Sequence, residues 1–156
     1  MQKNVDINFN DANGCNALHI ACTQGYTQTV EVLLNHWAAK KRRDPEGIFD
    51  IDVMDNLSLT SLMKASINNH LEIVRLLLTF GANPRIVTNR GESSLTLACM
   101  QENLEICERL IIAHADVNEM DTHKRTPLLK AARHNSGNEI LQLLLKHGAK
   151  PDIADE

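Results

Sequence analysis

Residues 55–84 read "DNLSLTSLMKASINNHLEIVRLLLTFGANP", and the pattern of this stretch recurs along the chain. Its segment "TSLMKAS" (60–66) aligns with "NALHIAC" (16–22), "SSLTLAC" (93–99) and "TPLLKAA" (126–132). Each is followed by an apolar run: "VEVLLNH" (30–36), "IVRLLLTF" (73–80), "ICERLIIAH" (106–114) and "ILQLLLKHGA" (140–149). The aligned leucines Leu18, Leu62, Leu95 and Leu128 stand 44, 33 and 33 positions apart, so the first interval carries an insertion. A fixed period in this range means one supersecondary unit used repeatedly, because no unit buries its apolar face alone.

Within each unit the spacing predicts a short first helix, a reversal such as "TQGYTQ" or "INNHLE", and a second helix. In the second helix, apolar residues at i, i+3 and i+4 mark a buried face. The connecting segments "DINFNDANG", "DIDVMDNLS", "NPRIVTNRG" and "DVNEMDTHK" carry turn-forming Asn, Asp and Gly and read as hairpin-like fingers. A chain of 156 residues with 43% hydrophobic and only 3% aromatic residues suits one domain with an aliphatic core.

The pattern resembles the ankyrin repeat: the period, the second unit as a whole, and "TPLL" and "NALH" as echoes of a T-P-L-H turn. The resemblance implies an all-α repeat solenoid of stacked helix-turn-helix units with β-hairpin-like fingers, covering residues 1–156 as a single domain. Repeats are expected at 11–54 (with an insertion at 37–47), 55–87, 88–120 and 121–154, with residues 5–10 as the tail of a preceding finger. The fourth unit shows no change to a polar cap, and the chain stops where another repeat would begin, so an excerpt of a longer protein is expected. The family's glycine after the second helix is present as Gly81 and Gly148 but replaced by Trp37 and His114. The finger-turn glycine is present as Gly14 and Gly91 but replaced by Ser58 and Lys124. Helix ends at Trp37 and His114 are therefore the least readable parts of the chain.

The resemblance also implies a noncatalytic protein-protein interaction module that uses the concave face. Counted from the TPLH-like threonine, exposed positions are minus four, minus three and minus one on the finger, and plus seven and plus eight on the first helix. The first unit supplies Ala12, Asn13, Cys15, Thr23 and Gln24, and the second Asn56, Leu57, Leu59, Ile67 and Asn68. The third supplies Asn89, Arg90, Glu92, Met100 and Gln101, and the fourth Thr122, His123, Arg125, Arg133 and His134. Leu57, Leu59, Ile67 and Met100 then form an apolar centre, flanked by Asn68, Arg90 and Gln101. Arg125, Arg133 and Lys130 make a basic C-terminal rim, and His134 joins the candidate contact residues. A protein or peptide with apolar anchors and an acidic flank fits such a face. The competing role for Leu57 and Leu59 is to close the core of an atypical finger.

Other chemistry is thin. There is no GxxxxGK loop and no HExxH helix. His19 and Cys22 share a helix face, but the resemblance assigns them a turn-bonding and a small buried position. Cys99 takes the same buried position and Cys107 a buried face, so all four cysteines read as free thiols. His123 and His134 alone share the predicted face, which is weak for a metal; no metal and no cofactor are expected. "LIIAHADVN" (110–118) resembles the pattern that an asparaginyl hydroxylase recognises in ankyrin repeats, with Asn118 as acceptor.

The insertion holds Lys40, Lys41, Arg42 and Arg43 in a chain of net charge −4. Its competing readings are a nucleic-acid or import-receptor contact and a solvated extension of the second helix. Without interleaved aromatic residues the run argues against nucleic acid. Good helix formers predict a helix over 29–43, about 22 Å long, ended by Pro45 at Asp44, with Trp37 packed at its base on the convex side. No apolar run spans a bilayer and no secretory signal opens the chain, so a monomeric intracellular protein, cytoplasmic or nuclear, is expected. An alternative role is the recognition arm of a larger enzyme or effector.

Overall fold

The computed structural model describes residues 9–44, 50–134 and 138–151. Among them are four helix pairs: α1 (Ala17–Gln24) and α2 (Thr27–Arg43), α3 (Ser61–Ile67) and α4 (Leu71–Thr79), α5 (Ser94–Met100) and α6 (Leu104–Ile112), α7 (Pro127–Arg133) and α8 (Asn138–Lys146). Each short helix starts at a side-chain cap: Asn16, Thr60, Ser93 and Thr126 accept the N–H three residues on. Such a cap is worth about 1 kcal/mol. At Asn16 the cap is reciprocal, because His19 Nδ1 accepts the Asn16 N–H at 3.2 Å.

The short helices stack as α1, α3, α5, α7 and the longer ones as α2, α4, α6, α8. Ala21, Ala65, Ala98 and Ala131 are buried one per short helix, where a small side chain lets neighbouring helices come together. Leu34, Leu62, Leu77, Leu95, Leu110 and Leu144 fill one continuous aliphatic core through all four pairs. This is the all-α repeat architecture expected from the period.

The fingers are tight hairpin-like turns rather than extended ladders. Among the described residues the one strand-like contact is an isolated bridge between Val87 and Ser93. Each finger is closed by its backbone, the N–H of Asp11, Asp55, Thr88 and Asp121 donating to the carbonyl four residues on at 2.9 to 3.0 Å, and is braced by the same residue's side chain. Asp11, Asp55 and Asp121 each accept the N–H groups two and four residues on, at 2.8 to 2.9 Å. Thr88 does the same through its hydroxyl at 3.2 Å.

Turn geometry is shared even where sequence is not. Gly14, Ser58, Gly91 and Lys124 all sit at positive φ in the finger turns, and Gly25, Asn69 and Glu102 do so after the short helices. After α6, His114 takes φ 65° where Gly81 and Gly148 follow α4 and α8. The first pair departs: with Trp37 in place of glycine, α2 runs on for 17 residues against nine in its counterparts. It begins at Thr27, two residues before the expected Thr29, because the Tyr26 carbonyl already accepts the Val30 N–H. Its last residue is Arg43, and the backbone leaves the helical region at Asp44, with φ −136° and ψ 83°. Pro45 and the rest of the insertion lie outside the described residues.

Candidate functional site

The predicted binding residues fall on two kinds of element. Leu57 and Leu59 lie on the second finger and Arg90 on the third. Ile67, Asn68, Met100, Gln101, Arg133 and His134 lie at the C-terminal ends of α3, α5 and α7. Because α3 packs on α5 and α5 on α7, these ends adjoin. Leu57 is 70% exposed, so it does not close the finger's core, whereas Leu59, Ile67 and Met100 are half-buried. Asn68, Arg90, Gln101, Arg133 and His134 are exposed.

The basic rim needs one correction. Lys130 is 5% exposed, not part of a surface: its Nζ pairs with Glu92 of the third finger and with Asp121 of the fourth, the latter at 3.1 Å. Lys64, its counterpart on α3, pairs with Asp55 at 2.7 Å. Arg125 is half-buried, with Nη2 2.7 Å from Asp121. Burial alone would raise the Asp121 carboxyl. Hydrogen bonds from the Arg125 side chain and backbone, Lys130 and the His123 N–H outweigh it and hold the group well below the usual carboxylate range. Of the rim's arginines Arg133 is exposed, and so is Arg90 on the third finger.

One set of residues escaped the sequence reading. Met54, Val87 and Met120 recur every 33 residues, each directly before the finger-closing Asp or Thr. Met54 and Met120 are 40% and 48% exposed and Val87 half-buried. They add an apolar stripe along the fingers, and their period was available in the sequence.

The fingers do not stack evenly. The Asn56 N–H donates to the Asn13 carbonyl at 3.0 Å, joining the first two, and the Thr122 N–H to the Arg90 carbonyl at 2.9 Å, joining the last two. The corresponding groups at the middle junction are the Asn89 N–H and the Leu57 carbonyl, and among the described residues no hydrogen bond joins them. The turn residue accounts for this. A Cβ built on Gly14 would stand 2.9 Å from the Asn56 nitrogen, and one on Gly91 2.8 Å from the Asp121 Cα. Ser58 has such a Cβ, so it holds the third finger off the second.

The remaining candidates lie elsewhere. Lys40 to Arg43 form the exposed last turn of α2, where cations favour the helix dipole, and Lys41 Nζ lies 4.9 Å from the centre of the buried Trp37 ring. Asn118 is held at both ends: its Nδ2 donates to the Gly148 carbonyl at 3.0 Å, and its Oδ1 accepts the Lys150 N–H at 2.9 Å. Hydroxylation there would require the segment to open. Cys22, Cys99 and Cys107 are fully buried. Burial pushes the Cys22 thiol up to about 12, which makes it a poor nucleophile.

Comparison with known proteins agrees with the fold. The sequence profile of the family described as ankyrin repeats (3 copies) matches residues 1–86 and 62–155. The chain is 32% identical to the ankyrin repeat protein YahD of Escherichia coli, over 97% of its own length and 73% of that protein. It is 32% identical to the human B-cell lymphoma 3 protein and 31% identical to the ankyrin repeat protein nuc-2 of Neurospora crassa. It spans only 31% and 14% of the lengths of those two proteins.

Proposed function

Because the chain belongs to the ankyrin repeat family, whose members generally mediate protein-protein interaction, we propose that it is a noncatalytic module binding a protein or peptide partner. The site of contact is the concave face around the second and third fingers and the adjoining ends of α3 and α5. One observation carries this placement. Leu57 stands exposed on a well-anchored finger, and Met54, Met100 and Ile67 extend an apolar patch where a solvated loop surface would be polar. Arg90 and Arg133 border it, which favours a partner with apolar anchors and an acidic flank.

The partner need not be known for the test. Proteins captured by the wild-type chain are compared with those captured by a Leu57→Asp, Met54→Asp double variant. Both side chains are exposed, so melting should stay within about 1 kcal/mol of wild type. Capture is expected to be lost. If every captured protein is retained by the double variant, the site lies elsewhere. The basic turn of α2 is given no contact, since the helix dipole and the Lys41–Trp37 stacking account for it. No helix among the described residues is long and apolar enough to cross a membrane.

A further inference from the structure

The middle finger junction is open in a specific way. In the first and third junctions the N–H at minus four of one finger meets the carbonyl at minus three of the finger before it. At the second junction the same two groups, the Asn89 N–H and the Leu57 carbonyl, are not bonded to each other among the described residues. Both residues are exposed. The difference tracks a single atom. Gly14 and Gly91 let the next finger close to within what would be 3 Å of a Cβ, while Ser58, at φ 61°, keeps the turn but adds the Cβ. Among the described residues, the middle junction therefore holds a backbone donor and a backbone acceptor, from adjacent fingers, that do not bond each other. The acceptor belongs to Leu57 itself, whose side chain is exposed, two residues from the half-buried Leu59.

We propose that the partner enters here as an extended peptide segment. One of its carbonyls accepts the Asn89 N–H, a neighbouring N–H donates to the Leu57 carbonyl, and an apolar side chain beside this bridge packs on Leu57. The inference rests on the concave-face reading above and adds the partner's conformation and its register. Main-chain hydrogen bonds supply affinity that is indifferent to the segment's sequence, and the Leu57 contact supplies selection, as in strand addition to a sheet edge. The first and third junctions cannot serve in this way, because their equivalent groups are already bonded to each other. A single entry point fixes a single alignment of the segment.

The test uses the full chain and a displayed random dodecapeptide library. Peptides selected on the wild type are measured against Leu57→Asp and Ser58→Gly, and exchange of the Asn89 amide is followed with and without peptide. Ser58→Gly is expected to let the third finger close on the second, so the free variant should protect the Asn89 amide about tenfold and bind peptide about tenfold more weakly. In the wild type, peptide should slow the same amide. Peptides that are lost with Leu57→Asp but indifferent to Ser58→Gly, with Asn89 exchange unchanged, would sink the backbone bridge and leave the concave-face reading standing. Peptides indifferent to both variants, or a library yielding no binder, would sink both. An Asn89 amide still unprotected in free Ser58→Gly would remove the steric account on which the entry point depends.

Discussion

The imidazole of His19 is held neutral by its two partners. Its Nδ1 accepts the Asn16 N–H, so the proton sits on Nε2, which donates to the Val53 carbonyl at 2.9 Å. Protonating Nδ1 would set two donors against each other and break the reciprocal cap, and burial likewise lowers the pKa of the group. A depressed folded value places this stabilisation above the unfolded pKa of about 6.5, and it is lost as pH falls through the folded value. We expect wild-type stability to drop as pH falls below about 6.5. His19→Gln keeps a side chain able to complete the cap. It should be less stable at neutral pH but flatter across that range, and an equal slope in the two proteins would assign the pH dependence elsewhere. The turn-bonding role of His19 was legible because its cap partner lies three residues away. That of Lys130 on α7 was not, since its carboxylate Glu92 lies 38 positions earlier on the third finger. Counting positions along a repeat finds which residues share a level, not which of them a neighbouring level consumes.

At the scale of elements, the lattice imposes backbone angles on whatever residue arrives. Ser58, Asn69, Glu102, His114 and Lys124 all take the left-handed conformation that glycine adopts elsewhere in the stack. The helix ends were the least readable features for this reason: a missing glycine left open whether the turn was lost or merely strained. The structure gives one case of each. Trp37 abandons the turn and α2 runs on, buried under Lys41, while His114 keeps it at φ 65°. Strain at His114 is testable, because its counterparts stand in open space: a Cβ on Gly81 or Gly148 meets nothing within 4 Å. Any effect of substitution there is a backbone effect. His114→Gly should gain up to about 1 kcal/mol and Gly148→Ala lose about 1 kcal/mol, read from denaturant midpoints at unchanged m. Two changes of the same sign would mean that side-chain contacts, not backbone angles, set these turns.

Across the whole molecule, the fold followed from period and apolar spacing, which fix the helix pairs, the caps and the core. The uneven coupling between pairs did not, because it turns on a Cβ at one turn and on ion pairs formed between fingers. The third and fourth pairs are tied by the Thr122–Arg90 bond, the buried Lys130–Glu92 pair and both ends of the Asn118 amide. The first and second are tied by Asn56 to Asn13 and Ala12, and by a His70 imidazole contact to the Thr23 carbonyl. Across the middle, α3 packs on α5 and α4 on α6, but among the described residues the polar contact that crosses is the exposed Arg85–Asp116 pair at 3.9 Å. Exposed pairs of this kind add little. Each helix pair touches only its neighbours, so stability is a sum of local terms and junction terms, and a defect spreads until it meets a weak junction. Leu144 on α8 and Leu34 on α2 are both fully buried leucines, and truncating either to alanine should remove about 2–5 kcal/mol locally. Native-state hydrogen exchange should then show Leu144→Ala accelerating amides of α5 to α8 while α1 to α4 keep most of their protection. Leu34→Ala should do the reverse. Uniform acceleration through all four pairs in both variants would mean that apolar packing alone couples the middle junction as strongly as the bonded ones. The open fingers would then be a local feature of the surface with no mechanical consequence.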